Sequence, residues 1–119
     1  MILVVDDHVD TCQLVKRLLE GAGLPTVCFT SPLEALESLP RVKPRLMLLD
    51  VMMPGMNGIE LLSRIRANPA TADLPVLMMT ATTDEADLAE ATRLGAKEIL
   101  RKGSIDWSTL PERLKPYLA

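Results

Sequence analysis

Five short apolar runs, spaced along the chain with helical patterns between them, constrain its fold more than any other feature. They are residues 2–5 (ILVV), 26–29 (TVCF), 46–49 (LMLL), 75–79 (PVLMM) and 98–101 (EILR). All but the last are nearly continuous in apolar residues, the pattern of parallel strands covered on both faces.

Helices are expected between the runs. Residues 9–22 place Val9, Cys12, Val15, Leu18, Leu19 and Ala22 on one stripe. Residues 32–39 follow Ser31 as cap, with Pro32 at the first position and Glu34 three after the cap. Residues 58–67 begin with a weaker box, Asn57-Gly58-Ile59-Glu60, and bury Ile59, Leu62 and Ile65. Residues 84–94 follow Thr83, carry Ala86, Ala89 and Leu94, and stop at Gly95. A last helix within 106–118 is shortened or kinked by Pro111 and Pro116, each of which lacks a backbone donor.

The alternation gives an α/β fold, a (βα)₅ flavodoxin-like three-layer sandwich, over a single domain spanning residues 1–119. Helices on both faces of five parallel strands favour the sheet order 2-1-3-4-5. In that order a crevice opens between the C-terminal ends of strands 1 and 3.

Composition narrows the partners. A net charge of −3 argues against direct nucleic-acid binding. No apolar run approaches the ~18 residues of a membrane span, and the opening MILVVDD lacks a signal peptide's basic start. A cytoplasmic location is therefore expected. Cys12 and Cys28, with no C-x-x-C motif, read as two reduced thiols packed as small hydrophobes, with a disulfide or a metal role as the lesser alternative.

The polar residues gather at one edge of this frame. Strand 1 runs into Asp6-Asp7, strand 3 into Asp50, strand 4 into Thr80 and strand 5 into Lys102. Singly, each has a bland reading as a helix cap or a solvated strand end. Together they put three negative charges and one positive charge in one crevice, and a divalent cation brings the sum to zero. Carboxylate oxygens suit Mg²⁺, which keeps waters and binds phosphate oxygens. A carboxylate nucleophile at Asp50 beside a metal, Lys102 and the Thr80 hydroxyl is equipped for phosphoryl transfer.

At this point the sequence resembles the receiver domains of two-component response regulators, of the chemotaxis-regulator type. ILVVDD (2–7), LLDVMMPGMNGIELL (48–62), PVLMMTA (75–81), LGA (94–96) and the lysine of RKG (101–103) carry the resemblance over essentially the whole chain. It implies Asp50 as phosphoacceptor. Mg²⁺ would sit on Asp7, Asp50 and the backbone carbonyl of Met52, with Asp6 behind them or acting through water. Thr80 would be the switch hydroxyl and Lys102 the phosphate contact. The phosphodonor would be a histidine kinase or a histidine phosphotransfer domain. The phosphorylated face would act on a downstream protein or a fused output domain, or pair two copies as a homodimer. The chain would catalyse only its own phosphorylation and dephosphorylation.

Three departures from the family pattern matter. Ile99 stands where Tyr or Phe is usual, so readout should run mainly through the 80–84 loop. Gly103 follows Lys102 where Pro is usual, and a trans bond with Gly103 in a glycine-favoured conformation is expected. Pro111 and Pro116 interrupt the last helix, which the family often uses for partners. Met52 and Thr82, two residues beyond Asp50 and Thr80, are tuning positions, and apolar Met52 should slow hydrolysis by excluding water. His8 reads as an exposed helix-start residue, with a catalytic or metal role as the lesser alternative. Trp107 reads as packing.

Competing readings are weaker. A haloacid-dehalogenase-type phosphatase needs a second Asp two residues after its nucleophile, and Met52 stands there. A flavin binder needs a phosphate loop after strand 1, and none follows. A receiver fold serving only as a structural interaction module, without phosphorylation control, is disfavoured by the intact set Asp6, Asp7, Asp50, Thr80 and Lys102.

Overall fold

A computed structural model describes residues 1–118 and contains the five parallel strands. These are β1 (Ile2–Val5), β2 (Thr26–Phe29), β3 (Leu46–Asp50), β4 (Val76–Thr80) and β5 (Ile99–Arg101), in the order β2-β1-β3-β4-β5. Between and after them run α1 (Val9–Gly21), α2 (Pro32–Val42), α3 (Gly58–Ala67), α4 (Glu85–Arg93) and α5 (Leu110–Leu114). The architecture is the flavodoxin-like (βα)₅ sandwich.

Side-chain alternation along the strands explains the two cores. Leu3, Val5, Met47, Leu49, Val76 and Met78 point to one face and meet α2, α3 and α4 through Leu39, Leu61, Leu62, Ile65 and Ala91. Ile2, Val4, Leu46, Leu48, Leu77 and Met79 point to the other and meet α1 and α5 through Val15, Leu19, Leu110 and Leu114. Both faces are covered, which is why the runs are continuously apolar. Burying each such Leu or Met contributes about 1.5–3 kcal/mol.

Element ends follow local chemistry. β4 begins at Val76 rather than Pro75, since Pro75 has no N–H and contributes only its carbonyl, which accepts from Met47 N at 3.0 Å. The Ser31 and Asn57 side chains cap α2 and α3 as expected, accepting from Glu34 N at 3.3 Å and Glu60 N at 2.9 Å. α2 runs on past residue 39 through Pro40 and ends at Lys43, in the left-handed region at φ 48°. Asp84, not Thr83, caps α4, accepting from Ala86 N at 2.9 Å. Arg66 of α3 fastens this side of the sandwich, donating to the carbonyls of Ala72, Leu74, Leu94 and Gly95.

Several expectations needed correction. Val9 and Ala22 lie in solvent, because α1 meets the sheet only through its middle turns. The buried face of α4 is Leu88 and Ala91, and Ala86 and Ala89 are exposed. Alanine is small enough to sit on either face, so it marked the stripe poorly. Cys12 and Cys28 are disulfide-bonded, with Cα atoms 5.9 Å apart, within the range that a disulfide spans. A spacing of 16 residues does not show this; α1 packing back on its neighbouring strand β2 does. The last helix is broken as expected into a 3₁₀ turn (Trp107–Thr109), α5 and a second 3₁₀ turn (Lys115–Tyr117).

Gly103 follows a trans bond, as expected, but does not take a positive φ, unlike Gly23, Gly55 and Gly95. The chain leaves β5 through a turn in which Arg101 O accepts from Ser104 N at 3.1 Å and Ile105 N at 2.9 Å, and this needs no glycine. A side chain at 103 would meet nothing within 4 Å.

Candidate functional site

The parallel register sets the C-terminal strand ends side by side. Val5 pairs with Leu49 and Asp50 with Met79, so Asp6, Asp50 and Thr80 emerge at one edge of the sheet. Lys102 comes one residue after β5, and its N–H donates to Thr80 O at 2.9 Å. All five sequence-predicted side chains lie at this edge. Asp6, Asp50 and Thr80 are buried, Asp7 and Lys102 partly so.

Lys102 Nζ lies 2.6 Å from Asp6 Oδ2 and 3.4 Å from Asp50 Oδ2, and so bridges two buried carboxylates. Asp6 Oδ1 accepts from His8 N at 2.9 Å, and Asp50 Oδ1 from Met52 N at 3.4 Å. Burial holds the Asp50 carboxyl above its ordinary 3.8, with Asp6 adding to the effect. Lys102 and the Met52 N–H pull the other way without cancelling it. Thr80 Oγ accepts from Thr82 N at 2.9 Å, a local turn that fixes the hydroxyl at the start of the 80–84 loop.

The donor set fits a divalent cation. Ligand atoms of Asp6, Asp7, His8 and Asp50 all lie within 4.8 Å of one another. Asp7 Oδ1 is buried without a hydrogen-bond partner, the kind of orphaned acceptor that a cation satisfies. Met52, two residues beyond Asp50, is 57% exposed at this edge.

Gly58 is a residue whose part sequence reasoning missed. It reads as a helix start, yet a Cβ there would overlap the carbonyl oxygen of Asp50. Its N–H donates to Val51 O at 2.8 Å, folding the loop 51–57 back onto the end of β3. The Asn-Gly pair before α3 was the available signal. The placement of the His8 ring beside Asp6 and Asp7 was likewise not legible. A groove of about 1010 Å³ lies elsewhere, lined by Leu36, Pro40, Pro44, Arg64 and Pro75, and includes none of the site residues.

Residues 2–115 match the model of the response regulator receiver domain. The chain belongs to that family. DNA-binding response regulator MtrA of Mycobacterium tuberculosis is 36% identical over 101 residues, covering 85% of this chain and 43% of MtrA. Regulator of RpoS from Escherichia coli is 38% identical over 111 residues, covering 93% of this chain and 32% of that protein. The receiver thus spans less than half the length of both relatives. Chemotaxis protein CheY4 of Vibrio cholerae superposes with a TM-score of 0.88 at 29% identity, covering 98% of this receiver and 97% of CheY4. A response regulator receiver protein from Pseudomonas putida gives 0.89 at 27% identity, covering 97% and 94%. Phosphorylation-regulated switching is typical of receivers.

Proposed function

We propose that residues 1–119 act as one receiver unit that takes a phosphoryl group onto Asp50 from a histidine kinase or a histidine phosphotransfer domain. The observation that carries this reading is the buried Asp50 carboxylate with Lys102 Nζ 3.4 Å from its Oδ2, beside Asp6 and an unpartnered oxygen of Asp7. In the transfer, a carboxylate oxygen of Asp50 bonds to phosphorus as the P–N bond of the donor phosphohistidine breaks, and the imidazole leaves with the electron pair. Asp7, Asp50 and the Met52 carbonyl would hold Mg²⁺, with Asp6 behind them; when bound, the ion neutralises charge on the phosphoryl oxygens. Lys102, with Nζ 3.4 Å from Asp50 Oδ2, neutralises more of that charge.

Phosphorylation adds negative charge and acceptor oxygens at Asp50. Thr80 would give up its bond from Thr82 N to donate to one of those oxygens, which moves the start of the 80–84 loop. That movement switches a surface read by a downstream protein, a fused output domain or a second copy. The reading includes a cytoplasmic location and no catalysis beyond the domain's own phosphorylation and dephosphorylation.

Incubation with Mg²⁺ and a small-molecule phosphodonor, followed by mass spectrometry, tests it. Wild type should gain one phosphoryl group and Asp50→Asn none. A wild type that stays unmodified would leave a receiver fold used only as an interaction module.

A further inference from the structure

The chain has one histidine, and it stands at the acidic crevice. His8 caps the start of α1, but its side chain makes no capping hydrogen bond. The ring leans back instead, with Nδ1 3.3 Å from Asp6 Oδ1 and 3.2 Å from Asp7 Oδ1. The Asp7 oxygen is the same one left without a hydrogen-bond partner, so the contact with the ring does not satisfy it. An imidazole nitrogen and an orphaned carboxylate oxygen thus face one point, and Asp50 offers an oxygen within 4.8 Å of both.

Nitrogen and oxygen donors rank cations differently. Carboxylates and carbonyls serve hard ions such as Mg²⁺, whereas imidazole favours borderline first-row ions such as Zn²⁺. Among the described residues, no cysteine or second histidine competes. The cysteines are joined to each other, and there is no second histidine.

We propose that His8 is a metal ligand of the receiver site, its Nδ1 joining the carboxylates of Asp7 and Asp50, and that it gives the site selectivity for a borderline divalent cation over Mg²⁺. The proposal rests on the reading of Asp7 and Asp50 as a divalent-cation site. The Nδ1 lone pair faces the ion when the proton is on Nε2, and the His8 ring, 67% exposed, can take that tautomer with water as its partner. His8 therefore sets which ion the site holds, and Asp7 and Asp50 hold either.

A single imidazole makes the test direct. Zn²⁺ and Mg²⁺ are titrated separately into wild type and His8→Ala by calorimetry, and the His8 Cε1–H resonance is followed by NMR. Circular dichroism checks that the variant is folded. Zn²⁺ should shift the resonance, and Asp7→Asn should weaken that response. His8→Ala should weaken Zn²⁺ at least tenfold while changing Mg²⁺ affinity less than twofold. An unmoved resonance, equal Zn²⁺ affinity in the two proteins, or an unchanged Zn²⁺ response in Asp7→Asn would overturn the role of His8. If Mg²⁺ still binds wild type and is lost in Asp7→Asn, the acidic site survives that failure. If neither ion binds wild type, both readings fall.

Discussion

A Cβ on Gly58 would overlap the Asp50 carbonyl oxygen and stand 2.9 Å from both the Asp50 carbonyl carbon and Val51 Cα. These are backbone atoms of the acceptor strand and cannot swing aside as a side chain can. Gly58→Ala is therefore expected to cost about 3 kcal/mol in urea denaturation, the upper end for overpacking, and to displace Asp50. Asp50 itself works against the fold. Its carboxyl is held above 3.8 chiefly by burial, so the folded chain keeps that proton more tightly than the unfolded one. The stability tied to this group is present at low pH and falls as pH rises from 3.8 through the folded value. With chelator present at neutral pH, Asp50→Asn should be more stable than wild type by on the order of 1 kcal/mol, since it removes a buried charge. Lys102 keeps its bond to Asp6 at 2.6 Å in that variant. Thermal unfolding of the two proteins checks this, and a less stable Asn variant would mean that Lys102 more than compensates the Asp50 charge.

At the scale of elements, the end of the chain is tied to β5 through Glu98, just before that strand. Glu98 accepts from the Tyr117 hydroxyl and from Arg113 Nη2, the latter at 2.6 Å. These bonds, that from Tyr117 first, hold its carboxyl below 4.5. The stability they give is present above 4.5 and is lost as pH falls from there through the folded value. Unfolding midpoints of Glu98→Gln should therefore fall less steeply than those of wild type as the medium is acidified below 4.5. Parallel slopes would show that the Glu98 ties contribute nothing. Ile99, the next residue, is half-buried and packs against the core shared with α4. It has no ring to rotate with Thr80. Amide spectra taken with and without a phosphoryl mimic should change across 80–84 and little across 97–110. Large shifts across 97–110 would show that β5 and α5 carry the signal without an aromatic residue.

For the whole molecule, the Cys12–Cys28 bond closes a loop with a sequence separation of 16 and joins α1 to the edge strand β2. Loop-closure entropy puts such a crosslink at about 3 kcal/mol. Reduction, or Cys28→Ser, should lower the denaturation midpoint accordingly, and an unchanged midpoint would show that the bond constrains nothing. Nothing in the sequence pointed to this pairing, whereas the strand order could be read from it. Continuous apolar runs report burial on two faces and Pro, Asn and Gly report local backbone limits, so the strands, the caps of α2 and α3 at Ser31 and Asn57, and the interrupted α5 were readable. Asp6, Asp7, Asp50, Thr80 and Lys102 were readable too, because a parallel sheet brings every strand's C-terminal end to one edge. What lay beyond reach depends on distances between elements. The Gly58 contact with Asp50, the lean of the His8 ring, the bridge from Lys102 to two carboxylates and the cysteine pairing each join residues placed together by packing. The sequence by itself determined which residues share the sheet edge, since local periodicity and strand direction suffice for that. Only the tertiary structure decided which of their atoms meet, because such contacts depend on how helices and loops settle on the sheet.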